Sequence, residues 1–450
     1  MAAQSATETG GCSEVATPPG ASVGNATFVE GGLGAVKGVR CAGVSAGFRR
    51  NPERRDLALV VAEKPAVAAG VFTQNLFCAA PVTVSRQHLV RLAMDDADNP
   101  RDGDGARAIV LNSGNANATT GEPGLETAIQ TAHIAARHLD CEPHQVLVAS
   151  TGVIGVPLVA DPFVTGIPRA LAELGAADGT AFAAGHAAAS AIMTTDTHPK
   201  QAAVTFTATQ SDGSEVTYAI GGMVKGSGMI QPNMATLLGV LATDAWLTQE
   251  AADLALKQVM DVTLNKVTID SDTSTNDSVY LLATGATAGR TINPTCPLFA
   301  PFVSALQTLC EDLARQIAAD GEGATKLITI TVTGALDEND ADLAGRAVAN
   351  SPLVKTAIAG HDANWGRIAM AIGKSGARFQ QEDVNISIMG LPVCHHGLPV
   401  PFDEADALHR FERNTEILID IDLGAGDDTA RLWSCDLTHE YISINGDYRT

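Results

Sequence analysis

The sequence predicts an α/β fold of layered mixed or antiparallel sheets with packed helices, and not a dinucleotide-binding fold of the Rossmann kind. Three observations predict it. Strand-like and helix-like segments follow one another without the regular strand–helix–strand beat of a doubly wound parallel sheet. β-Branched residues are plentiful in the strand-like segments. No Gly-x-Gly-x-x-Gly follows a strand and no Gly-x-x-x-x-Gly-Lys-Ser/Thr occurs, so the usual phosphate-cradling loops lack support. With 450 residues the chain can bury a large core and is expected to form two or three structural units. Hydrophobic residues at 45% and charged residues at 18% mark an ordered globular protein. Aromatics are 4% while glycines number 43, so small aliphatic residues build the core and tight turns are frequent.

Taken in order, residues 1–21 are small, polar and rich in Gly and Pro, which predicts a flexible arm. Residues 56–61 and 70–72 read as two short strands. Ala108-Ile-Val-Leu111 is a buried strand, after which Asn112-Ser-Gly-Asn-Ala-Asn117 must turn sharply. Residues 123–139 have helical periodicity, with Leu125, Ile129, Ala132 and Ala136 on one face. Residues 145–149 form a strand entering Ser150-Thr-Gly152, whose plain reading is a turn. The Ala-rich residues 163–192 hold one or two helices. Alternation across residues 202–222, about a Ser-Asp-Gly turn at 211–213, predicts a hairpin. On local composition the apolar run 236–242 begins a buried helix. Helices are expected over 249–260 and 303–319, the second with Val303, Leu306, Leu309, Cys310, Leu313 and Ile317 on one stripe. Residues 327–333, 416–423 and 440–444 are strand-like.

Composition and motifs also exclude function classes. The formal charge of -22 repels phosphate backbones, so nucleic acid is not an expected partner. No secretory signal and no apolar run of membrane-spanning length is visible, which predicts a cytoplasmic protein with no membrane association. The eight cysteines are dispersed and form no Cys-x-x-Cys pair. There is no His-Glu-x-x-His and no Gly-x-Ser-x-Gly, and no metal site is expected. Asp270, Asp272 and Asp277 read as a solvated acidic loop.

The centre of the chain reads Ile220-Gly-Gly-Met-Val-Lys-Gly-Ser-Gly-Met-Ile-Gln-Pro-Asn-Met-Ala-Thr-Leu-Leu-Gly-Val-Leu-Ala-Thr-Asp-Ala245. Here, and through Asn112–Asn117, Ser150-Thr-Gly-Val-Ile-Gly155, Met193-Thr-Thr-Asp-Thr-His-Pro-Lys200, Ser274-Thr-Asn-Asp277, Asp320-Gly-Glu-Gly-Ala-Thr-Lys326, Asn364-Trp-Gly-Arg367 and Asn445-Gly-Asp-Tyr-Arg-Thr450, the sequence closely resembles the glutamate N-acetyltransferase family, also called ornithine acetyltransferase. The resemblance runs from about Gly38 to Thr450. It implies an N-terminal-nucleophile-like, self-processing architecture cut between Ala235 and Thr236, with an arm (1–21), a first piece (22–235) and a second piece (236–450).

The family's chemistry, carried onto this chain, makes Thr236 the nucleophile and Thr151 and Gly152 the oxyanion hole. Substrate contacts fall on Thr194, Lys225, Thr236, Glu322, Asn445 and Thr450. The implied ligands are N-acetylornithine, glutamate, ornithine and N-acetylglutamate. No bound cofactor is implied, though acetyl-CoA serves some members as a co-substrate. Two copies of each piece are expected to assemble. The chemistry is coherent: a threonine hydroxyl needs a base, and cleavage before Thr236 frees an α-amine with a reference pKa near 8. Lys225 suits an α-carboxylate and Glu322 an ammonium. Their plain alternatives are a solvent-facing lysine and a helix-capping glutamate. Thr119 stands where many relatives have Cys, so that position does not supply the nucleophile, and Val164–Ala191 reads as an insertion. The same self-cleaving logic fits an aminopeptidase or amidase with water as acceptor. An uncut, non-enzymatic binding protein is the remaining alternative.

Overall fold

The computed structural model describes residues 15–95, 105–174, 180–210, 213–231 and 237–447. These form two compact units, one from Ala16 to Ile317 and one holding residues 318–447.

The larger unit contains β1 (Ser22–Val23), β2 (Ala26–Val29), β3 (Val39–Val44), β4 (Leu57–Phe72), α1 (Ala80–Asp95), β5 (Ala106–Asn115), α2 (Gly121–Leu139), β6 (Val146–Val153), α3 (Asp161–Leu174) and α4 (Ala181–Ile192). It continues with β7 (Lys200–Thr209), β8 (Glu215–Lys225), β9 (Leu238–Thr243), α5 (Gln249–Val262), β10 (Ser278–Ala283) and α6 (Phe299–Ala319). One long strand organises it. Where the sequence suggested two short strands, β4 runs unbroken, and Pro65 sits where its register with β5 shifts between Val61 and Ala66. A proline fits there because it gives up no regular ladder bond. The first half of β4 pairs with β3 and β5, and β5 pairs in parallel with β6. The second half pairs with β10, which leads in parallel to β9 and then to β8, β7, β2 and β1.

One apolar core draws on both halves: Val60, Ile109, Leu111 and Leu147 from the first, Met223, Leu238, Val240 and Leu282 from the second. Tyr280 of β10 donates its hydroxyl to the Val148 carbonyl at 3.0 Å, joining the halves directly. On the far side of the first half α2 and α3 pack through Ala128, Ala132, Phe163 and Ile167. The buried face of α2 is thus centred on Ala128 and Ala132, and Ile129, expected inside, is 38% exposed. The stripe on α6 lies as expected, its Leu309 and Leu313 facing Gly222 of β8. The arm is tied at Thr17, whose amide and hydroxyl both donate to Asp312 Oδ1, at 2.7 and 2.5 Å.

The run expected to start a helix is instead β9, buried along its whole length in mid-sheet. A short continuous apolar run carries no period that separates the two states.

The smaller unit contains β11 (Leu327–Ala335), α7 (Glu338–Ala349), α8 (Pro352–Ala359), α9 (Trp365–Gly373), β12 (Asn385–Ile388), β13 (Leu391–His395), β14 (Leu398–Pro399), α10 (Glu404–Arg413), β15 (Glu416–Asp422), β16 (Asp428–Cys435) and α11 (His439–Asp447). Its sheet runs β14-β13-β12-β15-β11-β16, with β11 and β15 parallel. One face packs on α7, α8 and α9 through Ile328, Ile330, Val348, Ile358 and Ile372. Residues 440–444, expected as a strand, belong to helix α11. The architecture is therefore mixed α/β in both units.

Candidate active site

Ser150, Thr151 and Gly152 end strand β6 rather than form an ordinary turn. Ser113 pairs with Thr151 and Gly114 with Gly152, just before the register becomes irregular at Asn115. Gly152 has φ 131°, and a Cβ there would lie 2.4 Å from the Gly114 carbonyl carbon and 2.6 Å from the Asn115 nitrogen. Only glycine allows this approach. The strand end is held from several sides. Ser150 Oγ donates to Asn112 Oδ1 at 2.6 Å, and Asn276 Nδ2 donates to the Ser150 carbonyl at 2.8 Å and also to the Ala116 carbonyl. Arg49 Nε donates to Ser113 Oγ at 3.2 Å, and Ser113 Oγ to the Ala191 carbonyl at 2.7 Å. Thr151 is buried at this braced strand end, with Gly152 next to it.

A second group gathers where β7 begins and β8 ends. Lys225 is buried, not solvent-facing. Asp196, also buried, accepts from Lys200 Nζ at 2.7 Å, the Gly226 amide at 2.8 Å and the Thr194 amide at 2.8 Å. Burial pushes its carboxyl up, but the Lys200 and Lys225 charges and these hydrogen bonds outweigh that and hold it well below the usual carboxylate range. Thr194 is half-buried, and its carbonyl accepts from Arg54 Nη2 at 2.9 Å.

The acidic residues expected in a solvated loop are not alike. Asp270 is half-buried and accepts the Met229 and Ile230 amides at 2.6 and 2.8 Å, Asp272 is exposed, and Asp277 is buried. Burial pushes the Asp277 carboxyl well above its ordinary value, against the opposing pull of Ser274 hydrogen bonds and the Lys225 charge. The backbone around it is pinned. The Asp277 carbonyl accepts the Thr73 amide at 3.0 Å, and the next amide, Ser278, donates to the Leu237 carbonyl at 2.9 Å. Leu237 directly follows Thr236 in the chain. Ala235 and Thr236 lie outside the described residues, as does Thr450.

In the smaller unit Glu322 follows the end of α6 and is buried, and its Oε2 accepts Asn445 Nδ2 at 2.6 Å. It is not a helix cap. Thr438 Oγ1 donates to the Gly323 carbonyl at 2.7 Å, and Gly323, at φ 71°, leaves room for the Tyr441 amide where a Cβ would be 2.6 Å away. These contacts seat α11 on the Glu322 loop.

The larger unit thus brings Thr151, Gly152, Thr194 and Lys225 into one network with Asn276 and Asp277, and the smaller unit joins Glu322 to Asn445. Sequence reasoning missed Asp196, Lys200, Asn276 and Asp277 as buried polar groups. A usable signal existed: each sits at, or just before, the start of an apolar strand. Among the described residues no cluster of His, Cys, Asp or Glu has the form of a metal site, and no helix is long and apolar enough to cross a membrane.

The model of the ArgJ family matches residues 40–450. The chain is 45% identical over 424 residues to the arginine biosynthesis bifunctional protein ArgJ of Symbiobacterium thermophilum, covering 94% of this chain and 100% of that one. It is 43% identical over 427 residues to the protein of that name from Caldanaerobacter subterraneus subsp. tengcongensis, with the same coverage. Two solved structures are also similar. An ArgJ protein from Bacillus halodurans is 42% identical, with a TM-score of 0.46 over 46% of this chain and 98% of its own. Ornithine acetyltransferase complexed with ornithine, from Mycobacterium tuberculosis, is 36% identical, with a TM-score of 0.38 over 47% of this chain and 100% of its own.

Proposed function

Because the chain belongs to the ArgJ family, and so to the acetyltransferases of arginine biosynthesis, we propose that it moves an acetyl group from N2-acetyl-L-ornithine to L-glutamate through an acetyl-Thr236 intermediate, after cutting itself between Ala235 and Thr236. The observation that supports this reading is the braced strand end at Thr151 and Gly152, tied through Asn276 at Ser150 to the strand whose Ser278 amide holds the Leu237 carbonyl beside Thr236.

In self-processing, Thr236 Oγ attacks the Ala235 carbonyl, the C–N bond breaks, and water then hydrolyses the ester, leaving a free α-amine on Thr236. That amine accepts the hydroxyl proton when Oγ attacks the acetyl carbonyl, and returns it to the departing ornithine nitrogen. The Thr151 hydroxyl and Gly152 amide stabilise the oxyanion, and loss of one such donor costs about 10²–10³-fold in rate. Glutamate then enters with its amine unprotonated, attacks the acetyl-threonine ester, and leaves as N-acetylglutamate. Lys225 takes the α-carboxylate that donor and acceptor share. Thr194 adds a polar contact, Glu322 takes the side-chain ammonium of ornithine, and Asn445 and Thr450 complete recognition. The two pieces stay together as two copies of each. The curated relatives are named bifunctional, which supports acetyl-CoA as a second donor to the same nucleophile.

Denaturing mass analysis joined to an acetyl-transfer assay tests the whole reading. Two pieces, residues 1–235 and 236–450, are expected, and Thr236→Ala should leave one full-length, inactive species. Normal activity in that variant, or pieces cut elsewhere, would sink it. Deacetylation of N-acetylornithine at the same rate without glutamate would instead mark an amidase.

A further inference from the structure

Asp277 has no part in the reaction as drawn, yet it is buried against the site. Among the described residues its Oδ2 has no hydrogen-bond partner. Its backbone is clamped between Thr73 and the start of β10, so the side chain cannot swing out to water without breaking the strand entry. Thr73 Oγ1, donating to the Ser274 carbonyl at 2.7 Å, and Asn75 Nδ2, donating to the Thr273 carbonyl at 2.9 Å, fix the preceding turn as well. An ionised carboxylate offers two oxygens that both demand donors. A buried one left short of them is far costlier than a protonated one.

Lys225 acts on Asp277 from the end of β8, and Asp196, which acts on Lys225 in turn, is itself held by Lys200 at the start of β7. Asp196 is supplied with three good donors and stays ionised. Ser274 offers hydrogen bonds to Asp277 from its own loop.

We propose that Asp277 is a positioning residue that works as a neutral, protonated carboxyl and thereby sets the carboxylate affinity of Lys225. The proposal rests on the reading that Lys225 receives the substrate α-carboxylate. While Asp277 keeps its proton, it adds no negative charge beside that carboxylate. When it loses the proton, its charge offsets that of Lys225 and repels the substrate, so affinity falls. Substrate binding is therefore expected to weaken on the alkaline side through Asp277.

The test is steady-state KM for N-acetyl-L-ornithine and L-glutamate on the purified, processed protein, from about pH 6 to about pH 10. Wild type is compared with Asp277→Asn, Ser274→Ala and Lys225→Met. In the wild type KM rises at alkaline pH. Asparagine cannot ionise, so Asp277→Asn should move that rise upward by about one pH unit or more. Ser274→Ala removes a bond that favours the ionised form and should move it upward by less. If Asp277→Asn does not fold, Ser274→Ala alone decides. A rise that stays in place in the variants overturns the proposal. So does an Asp277→Asn KM at neutral pH as high as that of Lys225→Met, because Asp277 would then be a working anion. Lys225→Met checks the premise separately, with an expected increase in KM of about tenfold or more. A KM within about twofold of wild type there would remove the carboxylate role of Lys225, and the proposal with it.

Discussion

Asp196 and Asp277 are both buried aspartates under the influence of Lys225, and the protein treats them in opposite ways. Asp196 receives an ammonium and two backbone amides on its two oxygens, so ionisation is favoured despite burial. Asp277 keeps one oxygen without a donor among the described residues, and burial wins. The Lys200 ammonium in contact with Asp196 at 2.7 Å, added to the Lys225 charge and the backbone donors, makes the difference, because burial is offset only where charge and hydrogen bonds meet the carboxylate. The contrast follows from local chain paths. The turn at residues 194–196 points the Thr194 amide at its own aspartate and Gly226 adds a second from the end of β8, whereas the turn before β10 gives its carbonyls to Thr73, Asn75 and Ala79.

The largest effect should come from breaking the Asp196 half. Lys200→Met leaves the buried carboxylate without the ammonium in contact with it, and loss of one partner of such a pair costs about 3–5 kcal/mol. Chemical denaturation at neutral pH measures it. The folded carboxyl is held below its unfolded value, so the stability from this pair is present above about pH 4 and lost as pH falls through the folded pKa. The gap between wild type and Lys200→Met should therefore narrow in acid. A gap that is constant with pH would mean that Lys200 matters for packing and not for the charge on Asp196.

Asp277 should behave with the opposite sign. Above about pH 4 the unfolded chain sheds this proton while the folded protein keeps it. The folded state then binds more protons, and stability falls as pH rises. Asp277→Asn removes that dependence. Its urea midpoint should gain on wild type between about pH 4 and neutrality, by an amount equivalent to about 1–2 kcal/mol, the scale of one poorly satisfied buried group. A variant that loses ground over this range would put Asp277 in the same class as Asp196 and dissolve the contrast.

Much of the fold was legible. Alternation marked the β7–β8 hairpin, and a complete apolar stripe marked α6, because in both the buried face is written in the side chains themselves. The rest depended on partners distant in sequence. Tyr441-Ile-Ser-Ile444 has strand-like composition, but Asn445 bonds Glu322 and Thr438 bonds Gly323, and these contacts seat the segment as a helix. Two short strands were expected at 56–61 and 70–72, and the register shift opposite β5 shows how one strand runs through Pro65 instead. At the site, Thr151, Gly152, Lys225 and Glu322 were expected from the family's motifs, and the structure places Thr151, Lys225 and Glu322 among buried residues. Asp277 could not be singled out. Beside Asp270 and Asp272 it looks like one more solvated acid, and what sets it apart is its burial, with one oxygen lacking a donor among the described residues.

Thr194 offers the smallest and most discriminating test. Its amide holds Asp196 at 2.8 Å, while its hydroxyl stands 3.4 Å from the same oxygen, too long to contribute much. The backbone therefore does the holding, and the hydroxyl remains available to a substrate. Thr194→Val keeps the amide and the side-chain shape, so stability should change by less than about 0.5 kcal/mol, as for a substitution that touches no buried bond of consequence. KM for N-acetylornithine should nonetheless rise about three- to tenfold, the worth of one neutral hydrogen bond, and Thr194→Ser should restore it. If stability falls while KM does not move, the hydroxyl belongs to the Asp196 cage after all. The distinction between donors that build the cage and donors that face the ligand would then have to be redrawn at this residue.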